Sequence, residues 1–446
     1  MHKAQRISSL VATGGLLLAL GCAGTLDQVA AREANKALPQ SWDSRQAGAS
    51  DAGAQAPATA QKRWNEFFAD ADLKALIKTA LMNNQELNMR LQEILIAKYE
   101  IAARQGEILP KVSGKAGLGL EKVGEYTSQG ASDKANGVPD HLPNFAFGFT
   151  ASWEADIWGK LRNAAAAANH RYLASIEAKD FVVTEIVAEI ANSYYELAAL
   201  DTQIGVIERN VKILDEALTV IKFEKMAARA TELAVQKFQA EVLKNKSRTY
   251  DLAQQRVEVE NRINLLLGRF PQPIARNPRR LDALAPGTVV TGLPSQLLAN
   301  RPDVKQAEMA LEAAKLDVQV AKARFYPSLG IDADAGYKAF NPAHLIDTPQ
   351  SLTYNVAGNL VAPLLNRASI EAEYGSANAK QVQAVFNFER TLLKAFTEVA
   401  NALAMTQNIK HRHEQLSRQV ETLRKATEVS GILYRSAHAD YMEVLM

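Results

Sequence analysis

Two stretches without proline constrain this chain more than any other feature. An interior proline removes a backbone donor and clashes with the preceding turn, so it marks where long helices and strand ladders must stop. No proline lies between Pro143 and Pro271, and none follows Pro363. Glycine is also sparse there. Each stretch can hold a helix of about 65 residues, roughly 100 Å at 1.5 Å per residue, longer than an ordinary globular domain is wide. In the first, Leu197, Leu200, Ile204, Ile207, Val211, Leu214 and Leu218 alternate spacings of three and four. That is the seam of a coiled coil. Abundant alanine and an aromatic content of 7% suit helices that approach closely.

Ahead of each long helix the apolar period changes to two. Phe145, Phe147, Phe149, Ala151 and Trp153 alternate with small or polar residues, as do Leu329, Ile331, Ala333, Ala335 and Tyr337. Leu352, Tyr354, Val356 and Leu360 repeat the pattern, and Val112, Ala116, Leu118 and Leu120 give a weaker version with Lys115 and Glu121 on the other face. These runs predict strands at about 111–124, 144–156, 328–340 and 351–364. Each has the length a tilted strand needs to cross a bilayer. Alternation alone is equally compatible with a half-buried sheet in a soluble protein.

The chain also carries an internal duplication. Asn83 aligns with Asn300, and the match runs without a gap through Ala97 and Ala314 to Pro110 and Pro327. Farther on, Glu189-Ile190-Ala191-Asn192 matches Glu398-Val399-Ala400-Asn401, and Phe223 with Glu232 matches Tyr434 with Glu443. A repeat of this size means two copies of one supersecondary unit, here 64–295 and 296–446. The first copy continues well past Glu232 to Gly268, whereas Met446 follows Glu443 by three residues. The chain is therefore expected to be a fragment or a truncated gene product, which intact would have a further returning helix of about 35 residues by analogy with the first copy. A tunnel built from it would have gaps that put its transport in doubt.

Four strands cannot close a membrane barrel, because unpaired edge groups are not tolerated in hydrocarbon and the smallest barrels have about eight strands. The chain must therefore associate with copies of itself: two would supply eight strands and three would supply twelve, the duplication then giving a pseudo-sixfold ring. The lumen would carry Asp332 and Asp334, whose repeated carboxylates would favour cations or positively charged cargo.

At the N-terminus Lys3 and Arg6 precede the apolar or small run Leu10–Leu20, which reads as a signal peptide over 1–21 and is too short to span a bilayer as a helix. Leu18-Ala19-Leu20-Gly21-Cys22 resembles the bacterial lipoprotein cleavage box, with Ala19 and Leu20 departing from its usual residues. The resemblance implies that Cys22 is the lipidated first residue, and Ala23 after it implies sorting to the outer membrane. A plain secretory signal or a buried thiol is the alternative. Residues 22–63 then form the lipid anchor and a flexible Ala-, Ser-, Gly- and Gln-rich tether.

Several motifs together resemble the TolC-like outer membrane efflux proteins, particularly their lipidated, NodT-type branch. They are Leu297-Leu298-Ala299 leading into Asn300-Arg301-Pro302-Asp303-Val304, the Phe325-Tyr326-Pro327-Ser328-Leu329 junction, and Leu265-Leu266-Leu267-Gly268. The resemblance implies a mainly α fold with a membrane β part. In it a long α-helical coiled-coil barrel is joined to four transmembrane strands per chain, which close a 12-stranded β-barrel as a homotrimer. It further implies a passive exit duct of a tripartite pump, lipid-anchored in the Gram-negative outer membrane and extending into the periplasm. Its partners would be a periplasmic adaptor, an inner-membrane transporter and outer-membrane lipid.

Adaptor docking would fall on the tip turns, at Met226, Ala227, Ala228 and Arg229 in the first copy and Ala437, His438, Ala439 and Asp440 in the second. Tyr434 matches a tyrosine of the closed gate. Met226 and Ala437 stand where the family pattern has glycine, the usual route to a left-handed turn residue.

The remaining composition narrows the alternatives. A net charge of +2 leaves no basic footprint for nucleic acid, and one cysteine leaves no disulfide or cysteine-based zinc site. No HExxH, phosphate loop or nucleophile elbow is present, so the reading is of a non-enzyme without cofactor or metal. The rival is a non-conducting periplasmic coiled-coil scaffold lipoprotein, which leaves the four strands unexplained. Drug, metal and protein cargo all stay open.

Overall fold

The structure is a computed structural model that describes residues 32–39, 42, 62–276, 294–296, 300–364 and 367–436. The expected signal peptide and Cys22 lie outside the described residues. Two compact units can be distinguished. One holds the described residues within Met1–Ala34, Arg63–Gly287 and Lys305–Phe388, and the other those within Asn35–Lys62, Thr288–Val304 and Glu389–Met446.

The first half of the chain runs α1 (Trp64–Phe67), α2 (Ala71–Asn83), α3 (Gln85–Ile108), β1 (Lys111–Glu121), α4 (Ser128–Ala135), β2 (Leu142–Ala155), α5 (Lys160–Met226) and α6 (Glu232–Leu266). The second half runs α7 (Pro302–Ala323), β3 (Ser328–Ala339), a 3₁₀ turn (Pro342–His344), β4 (Leu352–Val361) and α8 (Ala368–Arg435). Both halves thus follow one order: helix, strand, short helical loop, strand, long helix. The long helices match closely, at 67 residues for α5 and 68 for α8. No described helix is long and apolar enough to cross a membrane.

The four strands form one antiparallel sheet in the order β1-β2-β3-β4, so the two repeats join along β2 and β3. Its register accounts for the strand ends. β1 stops at Glu121, short of the expected 124, because Glu121 pairs with Leu142 at the start of β2. β4 stops at Val361 opposite Ser328, the first residue of β3, rather than reaching 364.

In the first unit, α5 and α6 fold back on each other. The predicted seam is on the inside: Leu197, Leu200, Ile204 and Leu218 are buried, with Ile207, Val211 and Leu214 half-buried. Val242, Leu252, Val259 and Ile263 of α6 are buried as well, and Leu73, Ile77 and Leu87 from α2 and α3 complete the core around Ile190, Tyr194 and Leu197. Surface ion pairs such as Asp215–Lys246 at 3.0 Å cross the same hairpin. More enclosed is Arg276, which reaches Asp201 at 2.5 Å and Glu260 at 2.6 Å. Burial works against its charge, yet these two carboxylates raise its pKa. Arg276 thereby ties the chain beyond α6 to both helices.

A shared cap fixes the base of this hairpin. The Asn84 side chain, almost fully buried, accepts from the Leu87 N–H at 3.0 Å and so caps α3. The same amide donates to the Leu266 carbonyl at 2.9 Å, satisfying an orphan acceptor at the end of α6. Gly268 then terminates α6 in the left-handed conformation at φ 67°, with its N–H on Leu265 and that of Arg269 on Asn264. A Cβ at Gly268 would lie 2.4 Å from the Asn83 carbonyl oxygen. Asn84→Ala is expected to lower stability by about 2 kcal/mol, since it strands a buried carbonyl and an N–H together. Urea unfolding in detergent reads this, and a loss below a few tenths of a kcal/mol would refute the shared cap.

Candidate functional site

The sheet has two chemically distinct faces. Pairing puts Val112, Ala151, Ala333 and Val356 in one row, and Ala116, Phe147, Tyr337 and Leu352 in another. Phe147 and Tyr337 stack at 5.4 Å between ring centroids. The opposite face carries Lys115, Thr150, Asp334 and Asn355, with Ser152, Asp332 and Asn359 nearby. Despite its composition the apolar face is open: Leu118 is 77% exposed, Tyr354 81% and Val356 72%. All of β1 is exposed, and so is nearly all of β4. The central strands β2 and β3 are largely half-buried. An apolar surface of this extent marks an interface with another molecule or with lipid.

Glycines set the centre of the sheet. Gly148 pairs with Gly336, and a Cβ on either would come within 2.4 Å of a carbonyl oxygen on the opposite strand. β2 and β3 therefore approach more closely than side chains would allow. Lys115 lies directly opposite Gly148 and reaches past it to Asp334 on β3, at 2.9 Å. Asp332 accepts from the Asn359 side chain at 2.7 Å. Both sequence-predicted pore carboxylates thus lie on the polar face, but Asp334 has a cation that the sequence did not supply as its partner. Strand alternation put Lys115 on that face; the pairing depends on register across two strand boundaries, which no local pattern carries.

At the lower edge of the sheet, aromatic residues anchor strands to helices. Trp153 donates its indole N–H to the Ile108 carbonyl at 2.9 Å, and Trp158 donates to that of Pro327 at 2.7 Å while stacking on Tyr326. Tryptophan and tyrosine with one polar end and an open apolar ring suit a membrane–water boundary. Beside them, Asp156 caps α5 by accepting from the backbone N–H groups of Leu161 and Arg162 at 3.0 and 2.9 Å. Burial pushes its pKa up, but those N–H groups and the Arg162 guanidinium outweigh burial and lower it. A groove of about 590 Å³ on this side brings Arg104, Lys111, Lys160 and Arg324 near Glu107, Glu154 and Asp332. Lys160 takes Glu154 at 2.5 Å.

The first tip turn lies between α5 and α6 and is closed without glycine. Met226 still belongs to the helix, and the left-handed residue is Ala228, at φ 57°. The Ala228 N–H donates to Lys225 and that of Arg229 to Glu224, at 3.0 and 2.8 Å, closing the helix end. Thr231 starts α6 by accepting from the Ala234 N–H at 3.2 Å, and Lys225 pairs with Glu232 across the turn. Gln236 first, then Lys225, lower the Glu232 pKa. Phe223, Met226 and Leu233 are largely exposed around this turn. Of the second turn, Tyr434 lies in the last helical turn of α8, while Ala437, His438, Ala439 and Asp440 lie outside the described residues. The described residues contain no group of three or more metal-ligating side chains.

The family model for outer membrane efflux proteins matches residues 76–269 and 293–446. The chain belongs to this family. The cation efflux system protein CusC of Escherichia coli is 26% identical over 385 residues, which cover 86% of this chain and 80% of that protein. The pyoverdine export outer membrane protein OpmQ of Pseudomonas aeruginosa is 27% identical over 428 residues, covering 96% of this chain and 88% of that one. Among solved structures, the outer-membrane channel OprN superposes with a TM-score of 0.81 at 22% identity, over 93% of this chain and 90% of that one. The open state of the Neisseria gonorrhoeae MtrE outer membrane channel gives 0.77 at 20% identity, with coverage of 93% and 90%. At such identities the superpositions establish the fold, an efflux-channel architecture of long helices with a small antiparallel sheet.

Two measurements test the local geometry. Ala228→Gly is expected to stabilise the protein by about 1 kcal/mol, because glycine relieves the left-handed strain of a Cβ; a destabilisation would show that the turn is held otherwise. For Asp156 the pKa is lower in the folded chain than in the unfolded one. Its contribution is therefore present above the unfolded carboxylate range and lost as pH falls through the folded value. Asp156→Ala should cost about 2 kcal/mol at pH 7, and the gap to the unaltered protein should narrow on acidification below about pH 4. A gap independent of pH would assign the effect to packing.

Proposed function

We propose that this outer membrane efflux protein is the passive exit duct of a tripartite pump. The open sheet carries the reading: a four-stranded, two-edged layer with an exposed apolar face and a polar opposite face. Its edge strands β1 and β4 offer unpaired backbone groups that hydrocarbon does not tolerate. Copies of the same chain meet the need at least cost, β4 of one pairing with β1 of the next. Eight strands would leave a bore filled by side chains, whereas twelve leave a lumen, so the ring has three copies. The apolar face then meets lipid, and Asp332 and Asp334 face the lumen.

In this reading residues 1–21 are removed as a signal peptide, and lipid on Cys22 with the tether to residue 63 anchors the body to the outer membrane. Repeats 64–295 and 296–446 supply the two halves of each protomer. The exposed Phe223, Met226 and Leu233 support adaptor docking at the tip around Met226, Ala227, Ala228 and Arg229. The second turn, Ala437 to Asp440, would dock similarly, with Tyr434 at the gate. An inner-membrane transporter supplies the work, and the duct needs no cofactor. The names of CusC and OpmQ point to cations and to pyoverdine, two unlike cargoes. This agrees with a wide duct whose specificity resides in the transporter. A non-conducting scaffold would leave the exposed apolar face of the sheet without a role.

Native mass spectrometry in mild detergent should give three times the mass of one chain, and the purified protein should open ion-conducting pores in planar bilayers. A monomer, or a trimer that never conducts, would overturn the duct.

A further inference from the structure

We propose that Lys115 sets the charge selectivity of the sheet's polar face, neutralising Asp334 and so keeping a lumen band that would otherwise be anionic close to neutral. The inference rests on the reading of the chain as a duct, and deepens it by naming the residue that decides which ions pass.

Three observations support it. First, Lys115 and Asp334 stand on strands that are not neighbours, and β2 lies between them. Their contact at 2.9 Å exists because the β2 residue opposite Lys115 is Gly148, which has no side chain to block it. The glycine pair Gly148 and Gly336, which tolerates no Cβ, is therefore also the opening through which the ammonium reaches its carboxylate.

Second, the neighbouring charges have other arrangements. Asp332, two residues along the same face, is held by the neutral Asn359 amide, and no cation pairs with it among the described residues. Glu154 is paired with Lys160 from α5. Lys338, on the same face as Asp334, makes no ion pair among the described residues. Lys115 and Lys338 together balance Asp332 and Asp334 on this face; without Lys115 one carboxylate charge per chain is left uncompensated, tripled by the ring.

Third, the pair is accessible to solution, with 58% of the Lys115 side chain and 41% of that of Asp334 exposed. An exposed pair of this kind adds little to stability. Its effect on mobile ions is larger, because fixed charges in a lumen act over a Debye length of about 30 Å at 0.01 M salt and about 3 Å at 1 M. The balanced band lets the barrel pass anionic as well as cationic solutes; a strongly acidic ring would hold back anions.

The test uses the full chain, purified in detergent and placed in planar bilayers under a KCl gradient at low ionic strength. Reversal potentials give the potassium-to-chloride permeability ratio of the unaltered protein and of Lys115→Gln, Asp334→Asn, the double variant and Lys115→Arg. Lys115→Gln should raise the ratio about twofold and Asp334→Asn lower it by about as much. The double variant and Lys115→Arg should return it to the unaltered value, and all differences should vanish in 1 M KCl. Opposite signs separate a charge effect from a structural one, which would move both single variants alike. Conduction with one ratio in every variant, or single variants shifting in the same direction, overturns the role of Lys115 and leaves the duct intact. Failure of the unaltered protein to conduct overturns the duct itself.

Discussion

The demand that every backbone N–H and C=O find a partner governs this molecule more than any side-chain contact does. In water an open four-stranded sheet can leave its edges solvated; in hydrocarbon each unsatisfied group costs several kcal/mol. A single chain of this protein presents two such edges, β1 and β4, and an apolar face that none of its described elements cover. The proposed trimer answers that shortage by pairing the two edges. The same demand operates within the helices, where Asn84 satisfies the start of α3 and the end of α6 with one side chain.

Connecting the sheet to a helix as long as α5, about 100 Å, requires junctions that do not fray. The chain builds them from tryptophan, proline and aspartate. Trp153 and Trp158 donate to carbonyls at helix–strand boundaries, Tyr326 stacks on Trp158, and Asp156 caps the first turn of α5. Trp153, Trp158 and Asp156 each bond a backbone group at a boundary between helix and strand. Duplication means that the β2 and β3 ends of the two repeats come together here, Trp158 of one bonding Pro327 of the other.

At the far end of α5 the chain turns without glycine. Ala228 takes the left-handed conformation, and the strain is offset by two backbone hydrogen bonds, the Thr231 cap and the Lys225–Glu232 pair. The helix continues through Met226, which stands at the glycine position of the family pattern, and the turn follows it, so that the residue needing φ > 0 is fixed by where hydrogen bonding ends rather than by a motif position.

Much of this was legible in the sequence. Proline placement and the three-four spacing from Leu197 to Leu218 revealed the long helices; alternation from Phe145 to Trp153 and from Leu329 to Tyr337 revealed strands with distinct faces. These features are local or periodic, and sterics and hydrophobicity act on them within a few residues. The polar face, and Asp332 and Asp334 on it, were readable for the same reason. Tertiary structure alone decided what crosses strands: the Gly148–Gly336 approach, the reach of Lys115 to Asp334, and the Asn84 bond to Leu266. These contacts join residues more than 180 positions apart in sequence. Register and packing bring such residues together only once the whole sheet and hairpin exist, and a linear pattern carries no record of them.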